Sequence, residues 1–157
     1  MSRAFTKEDD DEFALADIGE WPVSTARNLV TQEGLAQIDK QLSHLREEFA
    51  KAEKAGEREQ MALVSRDLRY WTARRENAEL SIPESDEQVV RFGMTVKIVN
   101  EEGKEATWKI VGEDEADASN GRISHVSPMA QALFGKGVGD IATVNDNEWE
   151  IVELKVK

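Results

Sequence analysis

Between residues 31 and 55 the apolar side chains Leu35, Ile38, Leu42, Leu45, Phe49 and Ala52 recur at alternating steps of three and four. That spacing lines them up on one stripe of a helix, the a/d seam of a coiled coil. Thr31 is a suitable N-cap, and Glu33 in the first turn faces the positive end of the helix dipole. Gly56 interrupts the pattern, and a second seam runs through Met61, Val64, Leu68, Trp71, Arg75 and Ala78, ending before Pro83. Neither stripe is broad enough to hold a helix alone in water. The two seams are mirror images, because Ala52 with Met61, Phe49 with Val64, Leu45 with Leu68 and Leu42 with Trp71 all have residue numbers summing to 113. Ile38 with Arg75 and Leu35 with Ala78 continue the series. A constant sum is what an antiparallel hairpin folded about Gly56-Glu57 requires, with small residues near the tip and bulky layers in the middle. Arg75 must snorkel past Ile38, toward Asp39. At 1.5 Å per residue the first helix is about 37 Å long.

After a polar linker at residues 83–91 the period shifts toward two. Strands are expected at 95–99 and 106–111 around a turn at Asn100-Glu101-Glu102-Gly103, with a third at 122–126. Ser127-Pro128 then opens a short helix over 129–134, Ser as N-cap and Pro in the first helical position, and Gly135 ends it. The last two strands are expected at 140–144 and 149–156, the second alternating imperfectly through Trp149, Ile151, Val152, Leu154 and Val156. The expected fold class is therefore α+β. A coiled-coil hairpin occupies 28–82, and over 92–157 a small antiparallel sheet buries one face under a single helix. Residues 1–27 are acidic and punctuated by Gly19 and Pro22. Two readings are open for them: a disordered tail, or a tail that docks on the basic second helix.

The charge narrows the function. The net charge of the 157 residues is −12. Residues 1–20 hold seven acids against Arg3 and Lys7, a charge of −5, and residues 92–157 hold twelve acids against seven bases, another −5. A protein that binds duplex DNA on its own gains affinity by neutralising phosphates. This chain would repel them, so no direct sequence-specific nucleic-acid binding is expected, and work on nucleic acid would go through a protein partner. No apolar run approaches the roughly 18–20 residues of a membrane span, and the acidic N-terminus lacks the apolar core of a signal peptide. The absence of cysteine excludes disulfides, thiolate metal sites and a cysteine nucleophile. A cytoplasmic protein without membrane attachment is expected.

Catalytic constellations are missing. His44 and His125 have no metal-ligand spacing with each other. The run Gly135-Lys136-Gly137-Val138-Gly139 follows a helix and precedes a strand, the reverse of a phosphate-binding loop, and reads as a helix stop and turn. The acid runs Glu113-Asp114-Glu115 and Asp9-Asp10-Asp11 lack the spacing of a calcium loop and read as solvated segments. Arg66, Arg69, Arg74 and Arg75 form a basic cluster with two open readings: a face paired with Asp67 and the acids at 76 and 79, or a docking stripe for an acidic partner.

The segment from Ile110-Val111-Gly112-Glu113-Asp114-Glu115-Ala116-Asp117 through Ile123-Ser124 and Ser127-Pro128-Met129-Ala130-Gln131-Ala132-Leu133 to Gly135-Lys136-Gly137-Val138-Gly139-Asp140 resembles the C-terminal domain of the Gre transcription-elongation factors. The resemblance begins at Phe92-Gly93 and reaches the last strand. Val30-Thr31-Gln32-Glu33-Gly34-Leu35 is similar to the start of that family's coiled-coil arm. The resemblance implies an FKBP-like C-terminal domain at the mouth of the secondary channel of bacterial RNA polymerase, with the arm reaching toward the active site. It implies core RNA polymerase as partner and no cofactor beyond Mg²⁺ shared with the polymerase. In cleavage factors of the family the arm tip reads Gly-Asp-x-Ser-Glu-Asn-Ala, whose two carboxylates help hold the metal that activates water against backtracked RNA.

Here the matching stretch is Gly56-Glu57-Arg58-Glu59-Gln60-Met61-Ala62. Glu57 stands for the family's Asp, and Gln60, which is neutral, stands for its Glu. Glu57 and Glu59 are the candidate tip acids. Arg58 adds a positive charge beside them, and both arms look about one heptad short, on the order of 10 Å of reach. The expected polymerase contacts are Ser127, Pro128, Glu57, Arg58 and Gln60. The acid that often precedes the Ser-Pro pair is Val126 in this chain. The resemblance therefore implies a polymerase accessory factor, not an enzyme in its own right, with weak or no stimulation of cleavage. Two alternatives stand beside it: an active cleavage factor using Glu57 and Glu59, and, on fold analogy alone, a prolyl isomerase.

Overall fold

The computed structural model describes residues 19–157, and the Asp9-Asp10-Asp11 run lies outside them. In chain order the elements are strand β1 (Asn28–Val30), helix α1 (Gln32–Ala55), helix α2 (Arg58–Glu76), strand β2 (Ala78–Leu80), strands β3 (Thr95–Asn100), β4 (Glu105–Val111) and β5 (Arg122–Ser124), helix α3 (Pro128–Leu133), and strands β6 (Ile141–Val144) and β7 (Asn147–Lys155). They fall into two compact units. One holds Ala36–Asn77 with the segment up to Thr25, and the other holds Ala26–Leu35 with Ala78–Lys157. No helix among the described residues is long and apolar enough to cross a membrane.

The first unit is built on the two long helices. Ile38, Leu42, Leu45 and Ala52 of α1 are buried, all of them seam positions, and Leu35 and Phe49 are half-buried. Gly56 ends α1 in the left-handed region at φ 70°. The Gly56 amide donates to the Glu53 carbonyl at 3.2 Å and the Glu57 amide to the Ala52 carbonyl at 2.9 Å. These are the paired bonds of a Schellman stop, which glycine permits without a Cβ penalty. The chain turns at once into α2. On that helix Val64 is buried and Met61, Leu68 and Trp71 are half-buried. Arg75 does reach Asp39, Nε to Oδ1 at 2.7 Å, so the charged seam position finds an acid on α1. The seam does not run to Ala78 as expected, because the helix stops at Glu76 with Asn77 as its cap.

Residues 78–80 instead form β2, which pairs in parallel with β1, Asn28 opposite Ala78 and Val30 opposite Leu80. Both strands belong to the second unit. Three-residue strands carry too little periodicity to be seen in sequence, and neither was expected. Arg27 braces the pair, its Nε and Nη2 donating to the two Glu79 carboxylate oxygens at 3.2 Å each. Those hydrogen bonds hold the Glu79 carboxyl below the usual carboxylate range.

The larger sheet has the order β5-β4-β3-β7-β6. The expectation of a purely antiparallel sheet is corrected at one edge, where β4 and β5 run parallel, Ile110 opposite Ile123. The two short 3₁₀ turns at Glu113–Glu115 and Ala118–Asn120 carry the chain back to start β5 in the same direction as β4. Elsewhere the pairing is antiparallel. Val96 lies opposite Trp108 and Ile98 opposite Ala106, so one face of β3 and β4 is apolar. The imperfect alternation of the last strand has a physical cause. Lys97 pairs with Glu153 but Ile98 with Ile151, leaving Val152 as the extra residue of a β-bulge. The core of the unit joins Val96, Ile98, Ile110, Ala142 and Ile151 of the sheet to Ala130 and Leu133 of α3, with Val90 and Phe92 from the preceding segment. Val90, inside the stretch expected to be a polar linker, is fully buried, and its amide donates to the Lys136 carbonyl at 2.8 Å.

Candidate functional site

The residues at the turn between the long helices are all exposed: Glu57, Arg58, Glu59 and Gln60 present their side chains to solvent. Glu57 sits at the N-cap position of α2 without a side-chain cap bond, and its carbonyl accepts from the Met61 amide at 2.9 Å. Glu59 lies in the first turn, where its negative charge suits the helix dipole. Glu57 stands just outside the helix with φ −84° and ψ 85°, whereas Glu59 is on its first turn. Among the described residues no group of three or more His, Asp or Glu side chains is placed to hold a metal. With Gln60 neutral and Arg58 cationic between the acids, this tip does not fit Mg²⁺ as a ligand set of its own.

The second candidate region is the start of α3. Ser127 is its N-cap, Oγ accepting from the Ala130 amide at 3.3 Å, and Pro128 stands in the first turn. The Gln131 side-chain amide donates to the His125 carbonyl at 2.7 Å and fixes the loop that leads into the cap. Pro128 and Val126 are exposed, so the corner offers a small apolar surface without a carboxylate. Ser127 is only half-exposed because its hydroxyl is committed to the helix.

Other sequence candidates resolve into structural roles. In the glycine run the Gly135 amide donates to Val90, Lys136 to Leu133 and Gly139 to Ile151, each to a backbone carbonyl, while Gly137 donates to the Asp140 carboxylate. Those amides are engaged within the protein, and none is turned out as an anion cradle. His125 is buried and packs edge-on against Phe92, ring centroids 5.6 Å apart. Trp108, Phe134 and Trp149 pack against the core that contains Phe92.

The reading of Glu113-Asp114-Glu115 as a solvated segment is corrected: the first two are half-buried and the last is buried. Glu115 is buried, and its carboxylate accepts from the Thr31 amide at 3.1 Å, the Gly112 amide at 3.0 Å and the Thr31 hydroxyl. Thr31 in turn caps α1, its hydroxyl oxygen accepting from the Gly34 amide at 3.0 Å. One carboxylate thus ties the capped first turn of α1 to the loop after β4. Nothing in the local sequence separates Glu115 from its half-buried neighbours in the acid run. Its Thr31 partner lies 84 residues away.

The chain thus holds two long helices joined at an exposed turn in one unit, and a small α+β fold with an exposed Ser-Pro corner in the other. The profile of the C-terminal region of GreA/GreB transcription elongation factors matches residues 84–156. Transcription elongation factor GreA of Pseudomonas aeruginosa is 35% identical over 153 residues, covering 80% of this chain and 96% of that one. GreA of Alkalilimnicola ehrlichii is 41% identical over 111 residues, covering 66% of this chain and 70% of the relative. Among solved structures, GreA factor homolog 1 of Thermus thermophilus is similar at 20% identity and a TM-score of 0.41, covering 83% of this chain and 99% of that one. The chain belongs to the GreA/GreB family of transcription elongation factors. The match to the Pseudomonas relative also measures length. Eighty per cent of 157 residues, about 126, fills 153 aligned positions, so about 27 of those positions have no counterpart here.

Proposed function

We propose that this chain is an elongation regulator that binds RNA polymerase at the secondary channel and stimulates little or no transcript cleavage. The observation that carries the reading is the tip: Glu57 and Glu59 are exposed and belong to no cluster of acids among the described residues, Gln60 is neutral, and Arg58 stands between the acids. The length points the same way. We assign the missing positions to an antiparallel coiled-coil arm formed by α1 and α2. Divided between two helices, about 27 residues remove on the order of 20 Å of reach. The helices that remain, 24 and 19 residues, would place the acids well short of where a full-length arm delivers them. The C-terminal unit, which we read as FKBP-like from its mixed sheet with α3, carries the docking corner at Ser127 and Pro128. The chemistry belongs to the polymerase, and this protein acts as its accessory.

Binding is tested by pull-down with core RNA polymerase and by competition with an active cleavage factor. Retention on core polymerase together with displacement by the active factor is the expected result. Failure of the full chain to associate at low and moderate salt overturns the reading. The arm itself has a separate test. Leu45→Ala and Leu68→Ala each lower stability by about 2–4 kcal/mol, and the double mutant costs less than their sum because the two side chains share one layer. Strict additivity in urea unfolding means that the layers pair differently.

A further inference from the structure

The segment before β1 is not a free tail where it is described. Glu20 pairs with Arg69, Oε1 to Nε at 2.7 Å. Trp21 lies against the Arg66 guanidinium, 4.3 Å from carbon to ring centroid, and its indole N–H donates to Asp67 Oδ1 at 2.7 Å. The receiving face of α2 is prearranged: Arg69 also donates from Nη1 to Ser65 Oγ at 3.1 Å, and Arg66 Nε lies 3.6 Å from Asp67 Oδ1. Pro22 keeps Trp21 out of the helical region, so the dipeptide is presented extended. Arg66 and Asp67, the residues that Trp21 touches, are half-buried although they lie off the seam.

We propose that Glu20 and Trp21 form a latch on α2, and that the Arg66-Asp67-Arg69 face is a recognition surface for an acidic–aromatic segment whose resting occupant is the chain's own. The inference rests on the polymerase reading above. An arm that enters a confined opening must present bare helices, and the latch adds a strand of chain to one of them. Polymerase association and latching therefore exclude each other. The latched fraction lowers the apparent affinity in proportion to the free protein that is closed. Its contacts are exposed: Trp21 is 49% accessible, and the side chains of the Glu20–Arg69 pair are 63% and 52% exposed. The latch is thus weak enough to open, and salt loosens the charged half of it.

The test uses full-length protein and core RNA polymerase. Glu20→Lys and Trp21→Ala each raise affinity for the polymerase roughly two- to fivefold, the range an exposed ion pair or a cation–π contact can supply. Glu20→Lys combined with Arg69→Glu restores the pair in reverse and returns affinity toward the wild-type value. The chain contains no cysteine, so Glu20→Cys with Arg69→Cys can be bridged by a cleavable bis-maleimide. The bridged protein binds polymerase more weakly than the same sample after cleavage of the bridge. Equal affinities for wild type, Glu20→Lys, Trp21→Ala and both bridge states overturn the latch while leaving the polymerase reading intact. No binding by any of them overturns the polymerase reading itself.

Discussion

Glu115→Ala lowers the unfolding free energy by about 3–5 kcal/mol, the range for removing one member of a buried charged network. The carboxylate is the acceptor for the Thr31 amide and hydroxyl and for the Gly112 amide, and Arg122 Nη2 stands 3.8 Å from Oε1. Truncation strands those donors in a place water reaches poorly. Gly34→Ala is expected to cost about 1–3 kcal/mol for the opposite reason, since overpacking a filled site forces neighbours out of position. A Cβ on Gly34 would sit 2.1 Å from the Glu115 carboxyl carbon, far inside contact distance. The two effects are coupled. In Gly34→Ala with Glu115→Ala the clash is gone, and the double mutant is less destabilised than the sum of the singles by more than 1 kcal/mol. Urea unfolding of the four proteins measures this. A Glu115→Ala protein within 1 kcal/mol of wild type would show that the carboxylate does not hold the start of α1.

On a backtracked elongation complex the unmodified protein is expected to change the rate of RNA cleavage by less than about threefold, under 1 kcal/mol of transition-state stabilisation. Cleavage of this kind needs carboxylates delivered to a metal in near-octahedral geometry. Glu57 offers one carboxylate, Gln60 a neutral carbonyl, and Arg58 repels the ion. Gln60→Glu alone recovers little, because reach remains limiting. Adding two heptads to each helix in register, together with Glu57→Asp and Gln60→Glu, raises cleavage by at least about tenfold over the unmodified protein. The two-heptad extension corresponds to about 28 residues, close to the net shortfall against the Pseudomonas relative. Robust cleavage by the natural sequence, abolished by Glu57→Ala, would establish the alternative in which Glu57 and Glu59 suffice.

Much of this protein is set by periodicity. The seam through Ile38, Leu42, Leu45 and Ala52 is legible because a helix buries one stripe at fixed intervals, and those four side chains are buried. The Gly56 stop, the Asn100–Gly103 turn and the Ser127-Pro128 helix start are likewise local, each decided by a backbone conformation or a cap that one or two residues impose. The tip departures at Glu57, Gln60 and Arg58 are also in the sequence, because a carboxamide cannot carry charge in any fold. What needed the tertiary structure is what depends on distant partners. The parallel pairing of β1 with β2 joins segments about fifty residues apart, and no three-residue run announces it. The parallel β5 edge depends on how two short turns redirect the chain. Glu115 reads as one acid among several until Thr31, Gly34 and Gly112 close around it. For Glu20 and Trp21 the sequence leaves a free and a docked tail both open, and their contacts with Arg66, Asp67 and Arg69 favour the docked one. Local patterns report the conformation that a few residues favour among themselves; burial of a charge and docking of a tail are decided by which partners the fold brings within a few ångströms.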